Sequence, residues 1–175
     1  VARLVGAGVI AAHQQMPGVG QGRLDGQTLL DINGVTIQAE MAHEPSRFDG
    51  SLQHLGQAAA ALVSTRVPTM RKDFLVDPYQ VMEARVAGAG GVLVILRMLA
   101  RREIEALMEA AAALDLFVLL EAFDEADLDL AGELAEGIGG RVTGIAVPVL
   151  VGLNCRDLVT LQVVPGRLEA LAPRL

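Results

Sequence analysis

An α/β fold with a parallel sheet covered by helices is what the sequence predicts, and three observations predict it. Short apolar runs rich in β-branched residues recur along the chain. Longer segments of helical period separate them, so the order is βα repeated. The later runs, VLVIL at 92–96, LFVLL at 116–120 and VLVGL at 149–153, are apolar throughout, as expected where both faces of a parallel sheet are buried.

The elements follow in order. A strand is expected at Gly34 to Ala39, where Val35, Thr36 and Ile37 are β-branched. A helix near Leu52 to Leu62 carries its leucines at helical spacing, and a strand follows at Val67 to Met70. The next helix, near Pro78 to Ala87, has clear ends. Asp77 can accept from the first-turn N–H groups, Pro78 suits the first helical position, Gln80 completes a capping-box spacing, and Gly88 is a stop signal. A strand at Val92 to Leu96 leads to a helix near Arg102 to Leu114. Its residues Ile104, Leu107, Met108, Ala111 and Leu114 share one core-facing stripe. A strand at Leu116 to Leu120, a helix near Ala126 to Glu136, a strand at Val149 to Leu153 and a helix near Arg167 to Leu171 complete the series. Gln14 to Leu29 and Gly132 to Pro148 contain glycines and little regular pattern, and are read as loops with weak or interrupted elements.

The 175 residues suit one domain, 1–175, with a core of Ala, Val and Leu, given 52% hydrophobic and 20% charged residues. No apolar run reaches the ~18–20 residues of a spanning helix, and no signal-peptide layout opens the chain, so no membrane is expected and a cytoplasmic location is the simplest expectation. Cys155 is the only cysteine, which rules out an intramolecular disulfide and a cysteine-based metal cluster. A net charge of -7 without a basic stripe argues against nucleic acid as a partner. An anionic small molecule stays open, because local cations and backbone N–H groups decide its binding. In 18-GVGQG-22 the glycines miss the dinucleotide-loop spacing and no Walker lysine follows.

In parallel α/β folds the loops after the strands' carboxyl ends build the active site. Met70 is followed by Arg71, Lys72 and Asp73; Leu120 by Glu121; Leu153 by Asn154, with Arg156 and Asp157 beyond. Each is open to a plain reading as a charge meeting water, but a cation, a carboxylate and an amide at one rim can converge on one ligand. Lys72 is the only lysine among 14 basic residues. An ammonium can give up a proton once burial or a neighbouring cation such as Arg71 favours its neutral form, whereas an arginine stays charged, so general acid work is open to Lys72. Glu121 leaves an apolar strand and could act as a base, as an electrostatic stabiliser, or as an ordinary ion-pair partner.

The segment 67-VPTMRKDFLVDPYQVMEARVAGAGGVLVIL-96 resembles the third strand and following βα unit of the indole-3-glycerol phosphate synthase family of tryptophan biosynthesis. Three further segments agree in order. The stretch 44-EPSRFDGSLQHL-55 is similar to the family's loop and helix after the second strand, 118-VLLEAFDEADL-128 to its fifth strand, and 152-GLNCRDL-158 to its sixth. The resemblance covers roughly residues 30 to 175, with 132–148 looking like an insertion. It implies a (β/α)8 TIM-barrel type fold, with about six of the eight βα units in this chain.

It also implies a carboxy-lyase that closes an indole ring on 1-(2-carboxyphenylamino)-1-deoxyribulose 5-phosphate, losing carbon dioxide and water, without metal or organic cofactor. The partner is then a small phosphorylated substrate. By position, Lys72 matches the family's general acid, Glu121 the glutamate used in proton transfer during dehydration, and Asn154 an asparagine that helps hold the substrate. Arg156 matches an arginine near the substrate end, and Phe48 and Phe74 match ring-contacting phenylalanines. Both aromatic positions also fit ordinary packing.

Two departures bear on function. In 9-VIAAHQQMPG-18, Ala12 and Gln14 stand where the family's first strand has a glutamate and a lysine, and the phosphate-binding serine is absent. After Leu175 the family would continue with two more strands, so three readings stand open: a fragment of a longer product, a homo-oligomer paired through open sheet edges, or a decayed relative. Arg97, unexpected for the family, reads as an added cation at the rim. A second function therefore stands beside the first: a catalytically impaired relative that binds a phosphosugar or serves as an assembly partner.

Overall fold

Among the described residues, seven strands form one sheet in chain order: β1 (Gln21–Leu24), β2 (Gln27–Ile32), β3 (Val35–Met41), β4 (Met70–Lys72), β5 (Gly91–Ile95), β6 (Phe117–Ala122) and β7 (Val149–Leu153). They are seen in a computed structural model that describes residues 21–24, 27–32, 35–41, 51–65, 67–138 and 148–175. From β3 to β7 each neighbouring pair is parallel. Helices α1 (Leu52–Leu62), α2 (Pro78–Val86), α3 (Arg101–Ala113), α4 (Glu125–Ile138) and α5 (Arg167–Leu171) follow these strands in turn. A parallel strand that always pairs with the next in sequence, with a helix between, is the order of a (β/α) barrel. Five βα units lie among the described residues; the expected first strand at 9–18 lies outside them.

Two loop readings are corrected. Within the region read as irregular, β1 and β2 pair antiparallel, and β2 pairs antiparallel with β3. These strands are partly polar, so their own hydrophobicity did not announce them. The signal lay between them: the register pairs Leu24 with Gln27 and Ile32 with Val35, leaving Asp25-Gly26 and Asn33-Gly34, dipeptides that favour two-residue hairpin loops. Helix α4, expected to end near Glu136, runs on through Gly137 to Ile138, inside the stretch 132–148 read as a loop. Interior glycines cost about 1 kcal/mol each in a helix, offset here by Leu128, Ala131 and Leu134 on the buried face. The rest of the expected insertion, 139–147, lies outside the described residues.

Strand alternation sorts the core into two clusters. Val92, Val94 and Leu96, with Val118, Leu120 and Ala122, face the helices and pack against Val81, Ile104, Leu107 and Leu134. Met70, Leu93, Ile95, Leu119 and Phe123 face the other way, with Phe74, Phe117, Leu150 and Leu158 packed against them. Burial on both faces accounts for the unbroken apolar runs. The α3 stripe is buried as its period requires, with Leu114 half-buried against it. At α2 the capping box forms: Tyr79 N donates to Asp77 Oδ1 at 2.8 Å, and Asp77 N to Gln80 Oε1 at 3.1 Å. Gly88 then takes φ +89, the left-handed stop. No helix among the described residues is long and apolar enough to cross a membrane.

Gly91 makes room for Phe117 on the inner face, because a Cβ there would collide with the phenyl ring. Gly91→Ala is therefore expected to lower stability by about 1–3 kcal/mol through overpacking, read as a lower urea midpoint at constant slope. A midpoint equal to the wild type would contradict that contact.

Candidate functional site

Lys72 and Glu121 meet above the inner cluster. Lys72 ends β4 on the face that Met70 shares, while Glu121 lies on β6 on the face of Phe117 and Leu119, as strand alternation requires. Strand β5 lies between them, with Leu93 opposite Leu119 and Ile95 opposite Glu121. Two strand spacings put the backbones ~10 Å apart, and the two long side chains close that gap to 3.6 Å between Nζ and Oε1. They are 18% and 12% exposed, over a floor of Leu93, Ile95, Leu119 and Phe123. At this distance the ammonium and carboxylate attract without a tight hydrogen bond, so either can turn to a ligand.

Arg71 takes a different part from the one expected of it. As the neighbour of Lys72 along a strand it points to the opposite face, where it is 2% exposed. Its Nη2 donates to Asp73 Oδ2 at 2.9 Å, and its Nη1 to Glu83 Oε2 at 3.1 Å and to the Gln80 carbonyl at 2.7 Å. The guanidinium is thus committed to Asp73 and Glu83 and is not a cation set beside the lysine. Asp73 Oδ1 also accepts from Phe74 N at 2.8 Å. That turn delivers the Phe74 ring to the inner cluster. Phe48, Ala12 and Gln14 lie outside the described residues.

Arg97 sits at the rim as expected but is not a free cation. It donates from Nε and Nη2 to Asp127 Oδ2 at 3.1 and 3.0 Å and from Nη2 to Asp124 Oδ2 at 2.6 Å. Its guanidinium also stacks 4.4 Å over the Phe123 ring. Asp127 Oδ2 accepts from Phe123 N at 2.8 Å as well. The cluster fixes the backbone two residues beyond Glu121. Sequence reasoning missed it because its members lie 27 and 30 residues apart.

Asn154 follows β7 by one residue and stays beside β6, donating its N–H to the Ala122 carbonyl at 2.8 Å. Gly152 lies opposite Glu121, so Asn154, two residues on, keeps the same alternation. Its Oδ1 accepts from Arg156 N at 2.8 Å, and among the described residues its side-chain NH2 has no partner. Arg156 pairs with Val163 as an isolated bridge, and its Nη1 donates to the Leu161 carbonyl at 3.1 Å. Asp157 closes the turn by accepting from the Thr160 and Val159 N–H groups and the Thr160 hydroxyl. Those bonds, the Thr160 N–H first, hold its carboxyl below the ordinary carboxylate range. Lys72, Glu121 and Asn154 thus gather at neighbouring strand ends, while Arg156 serves its own loop. Among the described residues no group of three or more His, Cys, Asp or Glu could hold a metal ion.

The family model for indole-3-glycerol phosphate synthase matches residues 40–175. The indole-3-glycerol phosphate synthase of Polaromonas sp. is 42% identical over 116 residues, 66% of this chain and 38% of that protein. That of Salinibacter ruber is 39% identical over 120 residues, 69% of this chain and 39% of that protein. Indole-3-glycerol phosphate synthase 1 of Streptomyces coelicolor is 37% identical over 132 residues, 75% and 44% of the two chains. The chain spans about two fifths of the length of these curated relatives.

Proposed function

The chain belongs to the indole-3-glycerol phosphate synthase family, and from that premise we propose that its site closes the indole ring of 1-(2-carboxyphenylamino)-1-deoxyribulose 5-phosphate, acting as a carboxy-lyase. The observation that carries the proposal is the approach of Lys72 and Glu121 to 3.6 Å over an apolar floor. An ammonium and a carboxylate so placed form a donor and an acceptor for protons in a partly dry setting, where their charges act more strongly than in water.

Ring closure joins an aromatic carbon to the sugar's ketone carbon, and negative charge gathers on the ketone oxygen. Lys72 donates a proton to that oxygen. Loss of carbon dioxide from the ring carbon that attacked returns the bonding electrons to the ring. The new hydroxyl then departs as water while Glu121 takes part in the proton transfer that leaves the indole double bond. Each change is a proton transfer or a rearrangement within the substrate, so no metal and no organic cofactor is called for. Asn154 offers its side-chain NH2 as a donor to the substrate, Arg156 has guanidinium N–H groups beyond the one given to Leu161, and Phe74 and Phe48 are the aromatic contacts.

Incubating the purified protein with the anilino-deoxyribulose phosphate should yield indole-3-glycerol phosphate, followed by indole fluorescence, with one carbon dioxide per product. Glu121→Gln should lower kcat by about 10²–10⁴-fold, the range of a lost proton-transfer group. A wild-type protein that makes no product, or a Gln variant as fast as it, would sink the reading.

A further inference from the structure

The geometry points to Arg167 as a positioning residue that holds the loop bearing Asn154 and Arg156 in its working shape. Past Leu153 the sheet gives this segment one bond, from Asn154 N to the Ala122 carbonyl. Its three successive carbonyls are held from elsewhere. The Cys155 carbonyl accepts from Val164 N at 2.8 Å. The carbonyls of Asn154 and Arg156 both accept from one atom, Nη1 of Arg167, at 3.1 and 3.0 Å. Carbonyls two apart on an extended segment point the same way, so one nitrogen can bridge them, and its charge strengthens both bonds. Arg167 begins α5 and reaches back from it, so the bridge ties the site loop to the helix that follows.

What the loop presents to substrate rests on the proposed function; the clasp itself does not. Cys155, the only cysteine of the chain, lies between the two bridged carbonyls and reports on the clasp without any ligand. Desolvation holds its thiol above the ordinary value, with Arg167 and the Leu168 backbone pulling down and Glu169 pushing up. The two effects of Arg167→Met therefore have opposite signs. Loss of its charge alone would raise the thiol further and slow labelling near neutral pH, whereas release of the loop lets water reach the sulfur and speeds it.

With an uncharged disulfide reagent on the folded protein, Arg167→Met is expected to label about tenfold faster than wild type, the factor of about 1.4 kcal/mol that one bond to a charged donor supplies. Arg167→Lys, which keeps a single charged nitrogen, should stay within about twofold of wild type. In turnover of the anilino-deoxyribulose phosphate, the Met variant should raise KM about tenfold with kcat changed by less than about threefold, as expected for lost ground-state positioning. Labelling of Arg167→Met at or below the wild-type rate overturns the inference. So does a KM that stays put while labelling rises. If the wild type turns over no substrate while labelling behaves as expected, the proposed function falls and the clasp stands.

Discussion

Replacing Lys72 with alanine is expected to lower kcat for indole-3-glycerol phosphate formation by about 10²–10⁴-fold, and replacing it with arginine by a similar factor. The alanine variant loses the ammonium proposed as proton donor over the inner floor. The arginine variant keeps a positive charge beside Glu121 but cannot release a proton at accessible pH. Steady-state rates of both, beside circular dichroism to show that they fold, separate the two possible uses of the lysine. If Lys72→Arg retained most of the activity, the residue would be a fixed cation and not an acid. The pair is partly buried, at 18% and 12% exposure, so removal of the lysine also leaves Glu121 without its counter-charge. That stability cost is small beside the kinetic one, since both groups still reach water.

The second large effect is on folding. Arg71→Met should destabilise the protein by about 3–5 kcal/mol, because it leaves the Asp73 carboxylate buried without its partner. The side chains of Arg71 and Asp73 are only 3% and 5% exposed. For a chain of 175 residues this corresponds to a Tm lower by about 10 °C. Removing both partners, as in Arg71→Met with Asp73→Leu, should recover part of the loss, since the uncompensated charge is then gone. A single variant that melts within about 2 °C of wild type would show that Asp73 finds another partner. The exposed pairs behave otherwise: Arg101 with Glu133, and Arg174 with Asp129, are each at least 40% exposed on both sides, so water and salt screen them and they add little to stability.

The helices were legible from their apolar period, and α2 also from its caps: α1 and α5 begin and end at the expected residues, and the Asp77–Gln80 box forms as its spacing requires. The parallel strands were legible because burial on both faces leaves an unbroken apolar run. β1 and β2 were not, since a strand built by pairing with neighbours need not be apolar itself, and only the Asp-Gly and Asn-Gly dipeptides hinted at them. At the candidate site, Lys72, Glu121 and Asn154 were singled out from their places just past apolar runs. Which face each took, and the 3.6 Å approach over β5, needed the register. The commitments of Arg71 and Arg97 were out of reach, because their partners Glu83, Asp124 and Asp127 come from later elements that only folding brings alongside.

Arg71 and Lys72 also set a condition on how β4 is threaded. With a side-chain period of two, a slip by one residue would turn the lysine into the helix layer toward Glu83 and hand the inner face an arginine that cannot give up its proton. The Asp73 and Glu83 carboxylates discriminate against that slip, because the fork of a guanidinium meets two carboxylates and the Gln80 carbonyl at once, which a single ammonium cannot match. The buried network thus works as a key for strand threading: it admits one alignment of the RKD triplet, and that alignment alone places a dischargeable proton over the site.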